Sequence, residues 1–145
     1  MRRLIKNTGL MGLSLILMAS CDSDRVITNE ELPEQARAYI QTHFAEHGIL
    51  QATKERDGLA VNYEVMLQEG YQLEFSRDGE IEKIDGSAKL PDSAIPVPIL
   101  DYVGTNFPQV DIVEWQRSRR GADVKLANGI ELEFDKEGEF LRIDQ

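Results

Sequence analysis

The chain has 145 residues, one cysteine, and 16 Lys and Arg against 26 Asp and Glu, a formal charge of −10. So acidic a chain is repelled by nucleic acid and by anionic lipid. One cysteine leaves no intrachain disulfide and no thiolate metal cluster.

The first twenty residues stand apart from the rest. Arg2, Arg3 and Lys6 form a positive start, residues 9–18 are a short apolar run, and Ala19 and Ser20 are small. That layout predicts a secretory signal peptide over residues 1–20, too short for a membrane-spanning helix. Leu17-Met18-Ala19-Ser20-Cys21 resembles the lipobox of bacterial lipoproteins, with Met18 where Leu or Val is usual. The resemblance implies cleavage before Cys21 and a diacylglyceryl group on its sulfur, so Cys21 is the lipidation candidate and the anchor the only membrane contact. Two or more acyl chains would hold stably where one binds marginally. Without Arg2, Arg3 and Lys6, 13 basic residues face 26 acidic ones, a formal charge of −13. Asp22, Ser23 and Asp24 resemble either an inner-membrane retention signal or an acidic surface-export signal, and both readings stay open. Residues 21–31 are polar and read as a tether.

The remainder speaks twice. Residues 71–85 (YQLEFSRDGEIEKID) and 130–144 (IELEFDKEGEFLRID) match at an offset of fifty-nine. Further upstream Leu32-Pro33, Tyr39-Ile40, Phe44 and Ile49 answer Ile95-Pro96, Tyr102-Val103, Phe107 and Ile112 at sixty-three. The difference leaves four extra residues in the first copy, within 59–69. The reading is therefore repeat one over 32–85, a linker over 86–94 and repeat two over 95–145.

Each copy opens with a helix. Leu32, Ala36, Tyr39, Ile40 and Phe44 make one apolar stripe. Pro33 and Pro96 suit a first helical position, and Gly48 and Pro108 stop the two helices. Strands follow. Val61, Tyr63, Val65 and Leu67, then Tyr71, Leu73 and Phe75, alternate with polar residues, as do Ala122, Val124 and Leu126, then Ile130, Leu132 and Phe134. Such alternation marks antiparallel strands with one buried and one wet face. Ile81 and Ile84, like Phe140 and Ile143, break the alternation and predict a bulge. The expected fold class is α+β: two tandem repeats, each a helix and a four-stranded antiparallel sheet, joined with both helices on one face of an eight-stranded sheet.

Chemistry is sparse. His43 and His47 lie four apart near a helix end, but a catalytic zinc site needs a third ligand, so no metal is assigned. Asp78-Gly79-Glu80 and Asp135-Lys136-Glu137-Gly138 lack the alternating donors of a calcium loop and read as hairpin turns. No nucleophile elbow, phosphate loop or dinucleotide fingerprint occurs, so no catalytic residue, cofactor or enzymatic activity is expected. Trp115 and Arg117 share one strand face. Aromatic and arginine residues together are typical of binding hot spots, whereas Ala52 at the matching place in copy one suits a buried face.

Leu32-Pro33, Tyr39-Ile40, Phe44, Ile95-Pro96, Tyr102-Val103, Phe107-Pro108 and the run NGIELEFDKEGEFLRID from Asn128 resemble the PepSY-like, β-lactamase-inhibitor-like proteins exported by Bacteroidetes. The resemblance covers 32–144 and rests on turn and core residues. The resemblance implies a helix-on-sheet layer and a binding or inhibitory role through the sheet face, such as restraint of a peptidase. The expected function is a lipid-anchored binding protein of the cell envelope, facing the periplasm or the cell surface. Its wet face (Asn62, Glu64, Gln72, Glu74, Asp123, Lys125, Glu131 and Glu133), with Trp115 and Arg117, would meet a basic protein or peptide. The alternative is a small-ligand sensor or carrier with a site between the repeats.

Overall fold

A computed structural model describes residues 24–144. The signal segment and Cys21 lie outside the described residues. The strands are β1 (Arg25–Ile27), β2 (Ile49–Asp57), β3 (Ala60–Leu67), β4 (Tyr71–Ser76), β5 (Ile81–Gly86), β6 (Ile112–Arg117), β7 (Gly121–Leu126), β8 (Glu131–Asp135) and β9 (Phe140–Asp144). Two ten-residue helices, α1 (Glu34–His43) and α2 (Val97–Asn106), follow β1 and β5. No helix among the described residues is long and apolar enough to cross a membrane.

The expected fold class needs correction. The described chain is one nine-stranded antiparallel sheet whose strands stand in sequence order, with only two helices, and not two tandem helix-plus-four-strand units. Backbone hydrogen bonding is the reason. β5 would present an unpaired edge if the first half stood alone, and instead it pairs with β6 through Lys83↔Gln116, Ile84↔Trp115 and Asp85↔Glu114. The ninth strand, β1, comes from the stretch expected as tether, and pairs Ile27 with Ala52.

The register makes the two faces explicit. One unbroken row of cross-strand partners runs Ile27, Ala52, Val65, Leu73, Ile84, Trp115, Val124, Leu132 and Ile143. All but Ile143, on the edge strand, are buried. The helices cover this side. Ala36 and Ile40 of α1, and Ile99 and Val103 of α2, are buried against it. Aromatic rings clamp each helix down. Tyr39 meets Phe75 edge-on at 5.9 Å, and Phe44, which caps α1, meets Tyr71 at 5.4 Å. Tyr102 meets Phe134 edge-on at 5.5 Å and stacks on Phe140 at 4.5 Å. Edge-on and offset rings gain about 0.5–1.5 kcal/mol beyond the area they bury.

The breaks in alternation are bulges. The register shifts between Glu74 and Phe75 opposite β5, and between Glu133 and Phe134 opposite β9. The turns that precede these strands are tucked under the helix starts. Gly79, at φ +87°, leaves no space for a Cβ, which would lie 2.7 Å from Pro33 and 2.9 Å from the backbone nitrogen of Ala36.

Candidate functional site

The neighbouring row of partners, on the uncovered side, runs Val26, Thr53, Glu64, Glu74, Lys83, Gln116, Asp123, Glu133 and Arg142. A second uncovered row runs Gln51, Met66, Gln72, Asp85, Glu114, Lys125, Glu131 and Asp144. The pleat produces this surface, because each residue beside a core position must point away from the helices. Eight carboxylates (Glu64, Glu74, Asp85, Glu114, Asp123, Glu131, Glu133 and Asp144) share these rows with three cations, Lys83, Lys125 and Arg142.

The cations are already engaged. Lys83 lies 3.1 Å from Glu114 and 3.7 Å from Asp85. Lys125 lies 3.0 Å from Glu131, and Arg142 is 2.6 Å from Glu133, which also accepts from Arg120 at 3.0 Å. Among the described residues no ion pair within 4 Å holds Glu64, Glu74, Asp123 or Asp144. A shallow concavity of about 130 Å³ opens on the β6–β9 part of this face, walled by Glu114, Asp123, Lys125, Glu131, Glu133 and Asp144.

Protonation follows the crowding. Burial pushes the Asp123 carboxyl up, and the charges of Glu133 and Asp144 add to the rise. Burial also raises Glu55, assisted by the side chain and charge of Glu64. Burial pulls Lys83 down, but Glu114, Asp85 and Glu74 outweigh it and hold its ammonium above the ordinary lysine value. Arg142 holds Glu133 below the usual carboxylate range.

A raised carboxyl means that the folded chain binds more protons than the unfolded one just above the ordinary value, 4.5 for Glu55. Stability from this group is therefore lost as pH rises through that window. Glu55→Gln should raise the urea midpoint at pH 7 and leave it nearly unchanged at pH 3. Relief of one like-charge cross-strand contact amounts to roughly 0.2–1 kcal/mol. An equal change at both pH values would contradict the assignment.

The structure places Asn62, Glu64, Gln72, Glu74, Asp123, Lys125, Glu131 and Glu133 on the uncovered face: all but Asn62 belong to the two rows, and Asn62 stands beyond them with the same parity, opposite Glu55 and Ser76. Trp115 and Arg117 are not among them. Trp115 stands between Ile84 and Val124 on the helix side, 8 % exposed. Arg117 lies on that side too, at the sheet end, where it donates to the Ile81 carbonyl at 3.1 Å and sits 3.4 Å from Glu80 and 3.6 Å from Glu82. Asp85, Glu114 and Asp144 belong to the uncovered rows and were missed. Their strands break alternation at bulges, although Glu131↔Asp144 follows from counting back along the last hairpin.

The histidines take different partners. His43 shares a hydrogen bond with Ser93 Oγ at 3.0 Å and packs on Tyr39, and burial lowers its pKa. His47 packs against Phe44 and Tyr71, with Nδ1 3.4 Å from Glu69. Among the described residues no group of three His, Cys, Asp or Glu could hold a metal ion. Asp135 spends its carboxylate on its own turn, accepting from the N–H groups of Glu137 and Glu139 at 3.0 and 2.8 Å.

The β2–β3 hairpin is the longest. It pairs out to Asp57↔Ala60, beyond the last β3–β4 pair at Asn62↔Ser76, and carries Leu59 99 % exposed at its tip.

Comparison with known proteins gives these faces a context. Residues 61–142 match the family described as "Putative beta-lactamase-inhibitor-like, PepSY-like". A Bacteroides thetaiotaomicron structure described as a "putative calcium-regulated periplasmic protein" is 32% identical, with a TM-score of 0.80, over 84% of this chain and 97% of that one. A Bacteroides vulgatus structure described as a "putative periplasmic protein" is 31% identical, with a TM-score of 0.80, over 86% and 99%. A second from Bacteroides vulgatus, described as of unknown function, is 32% identical, with a TM-score of 0.78, over 85% and 100%. No curated protein matches the chain. By the extent of the family match and by its identity to relatives spanned almost end to end, the chain belongs to the PepSY-like, beta-lactamase-inhibitor-like family.

Proposed function

We propose that this is a non-enzymatic binding protein of the cell envelope, anchored through Cys21, which docks a basic protein or peptide on its uncovered sheet face. One observation carries the reading. Two rows of side chains cross the sheet with eight carboxylates against three cations, and Glu64, Glu74, Asp123 and Asp144 have no ion-pair partner among the described residues. A surface of one sign attracts the opposite sign over about a Debye length, ~8 Å at physiological salt, and speeds encounter with it. The family's inhibitor-like description makes restraint of an enzyme one use of such docking.

The test places a photo-crosslinker at Gln72 or Gln116 in intact cells, with another at Leu100 on α2 as the control. The face should trap one defined protein, and the control should not. Charge reversal at Glu64, Glu74 and Asp123 together should slow association with that protein by on the order of ten-fold or more at low salt. Equal trapping from both sides, or binding indifferent to charge reversal and salt, would overturn the proposal.

A second reading, a small ligand, is favoured by two helix-side cavities, one of about 300 Å³ beside Trp115 and one of about 360 Å³ along α2 beside Val103 and Phe107.

A further inference from the structure

The buried row that crosses the sheet is closed at one end and open at the other. At β1 it ends in Ile27, which is 7 % exposed, and at β9 it ends in Ile143, which is 47 % exposed. Leu141, on the same strand, is 45 % exposed. The backbone is open there too. β9 pairs with β8 alone, and among the described residues no backbone hydrogen bond from a turn or loop reaches Arg142, Ile143 or Asp144. Such an edge is a template for another strand, and proteins commonly guard it with lysine or proline. β9 carries neither. Its bulge, at Leu141, lies before the regular stretch Arg142–Asp144. Three residues are enough to pair on this sheet, as β1 does with β2.

The side chains of that stretch specify what fits beside it. Arg142 and Asp144 belong to the uncovered side and Ile143 to the helix side. Arg142 gives one nitrogen to Glu133 at 2.6 Å, and Asp144 has no ion-pair partner among the described residues. The best-matched strand therefore sets an acidic residue beside Arg142, an apolar one beside Ile143 and a basic one beside Asp144. Read in the opposite direction, β9 is itself that strand. With a two-fold axis at Ile143, the isoleucines of two copies face each other, and Arg142 of each copy faces Asp144 of the other.

We propose that this edge is a self-association surface, on which β9 pairs antiparallel with β9 of a second copy about an axis at Ile143. The contact uses the same patch on both copies, so it closes at two. It sets the helices of both copies on one side of a joined sheet and leaves both uncovered faces open, so it stands without the docking reading. Both copies are acidic and the paired stretch is short, which places the contact among small, transient interfaces, below about 1,200 Å².

The test uses the full chain carrying Ile143→Cys in intact cells, treated with a mild oxidant. Directly opposed residues of antiparallel strands have Cα atoms about 4.5–5.5 Å apart, a span that a disulfide bridges. A disulfide-linked dimer should form. The unsubstituted chain, whose only cysteine is Cys21, and Gln72→Cys on the uncovered face should give none. Adding Asp144→Arg turns two symmetry-related attractive contacts into repulsive ones and should slow dimer formation about ten-fold. Exchanging both charges, Arg142→Asp with Asp144→Arg, should restore it. Since Arg142→Asp also breaks the pair with Glu133, the milder Asp144→Asn, with a smaller loss, keeps the test sound if the exchange disturbs the strand. Failure to form the dimer, a disulfide to a different protein in its place, equal linkage through Gln72→Cys, or a rate indifferent to both Asp144 variants would overturn the proposal. Charge reversal at Glu64, Glu74 and Asp123 should leave the dimer unchanged, which separates failure here from failure of the docking reading.

Discussion

Replacing Phe134 with alanine should cost the fold about 3–5 kcal/mol. Phe134 has no exposed surface, and its ring is met edge-on by Tyr102 from α2 and by Phe140 from β9. The substitution therefore removes the surface on which α2 is seated and loosens the last strand as well. Domains of this size are stable by about 5–15 kcal/mol, so the loss is a large share of the total. Thermal unfolding followed by circular dichroism should shift down by roughly 10–25 °C. A shift of only a few degrees would show that α2 is held mainly by other contacts.

Gly121→Ala should be comparably damaging for a different reason. Gly121 opens β7 opposite Asp135, and a Cβ there would lie 2.1 Å from the Asp135 carbonyl carbon and 2.2 Å from its oxygen. The obstacle is backbone of the paired strand and not a movable side chain, so β7 and β8 must part. Overpacking commonly costs about 1–3 kcal/mol, and a backbone obstacle puts this site at the upper end or beyond. Gly104→Ala is the natural control, because α2 leaves open space there. It should be neutral or stabilising by up to about 1 kcal/mol through the better helix propensity of alanine. The urea midpoint should therefore fall for Gly121→Ala and hold or rise for Gly104→Ala, and a comparable fall in both would refute the steric account.

Alternation made most of the two faces legible before any coordinates. Tyr63, Val65, Leu73, Phe75, Val124, Leu132 and Phe134 are buried in the structure, and Glu64, Gln72, Glu74 and Glu131 lie opposite them on the uncovered side. Parity also put Trp115 and Arg117 together, but parity cannot name a face. That was settled by the partners of Trp115, Ile84 and Val124, which are themselves core. β1 was illegible because three residues hold too little periodicity, and because Arg25 and Val26 are exposed. The likeness of the two halves suggested two units joined in one eight-stranded sheet: matching letters record local packing and turns, while the β5–β6 register through Ile84↔Trp115 leaves no mark in either half. The candidate site was legible as residue types on a face, since carboxylates declare themselves. Its ion pairs depend on distances between strands, which no spacing along the chain encodes.

The unbroken order of the strands, each paired only with those before and after it, has a consequence for assembly. Synthesis delivers the chain from its N-terminus. Each new strand then finds the edge it needs already in place, and no strand must wait for one made much later. The longest closures are those that carry a helix, β1 to β2 and β5 to β6. Neighbour-only pairing keeps contact order low for a β protein, which favours rapid folding. The sheet can thus be laid down like knitting, row upon row, with β9 cast off last.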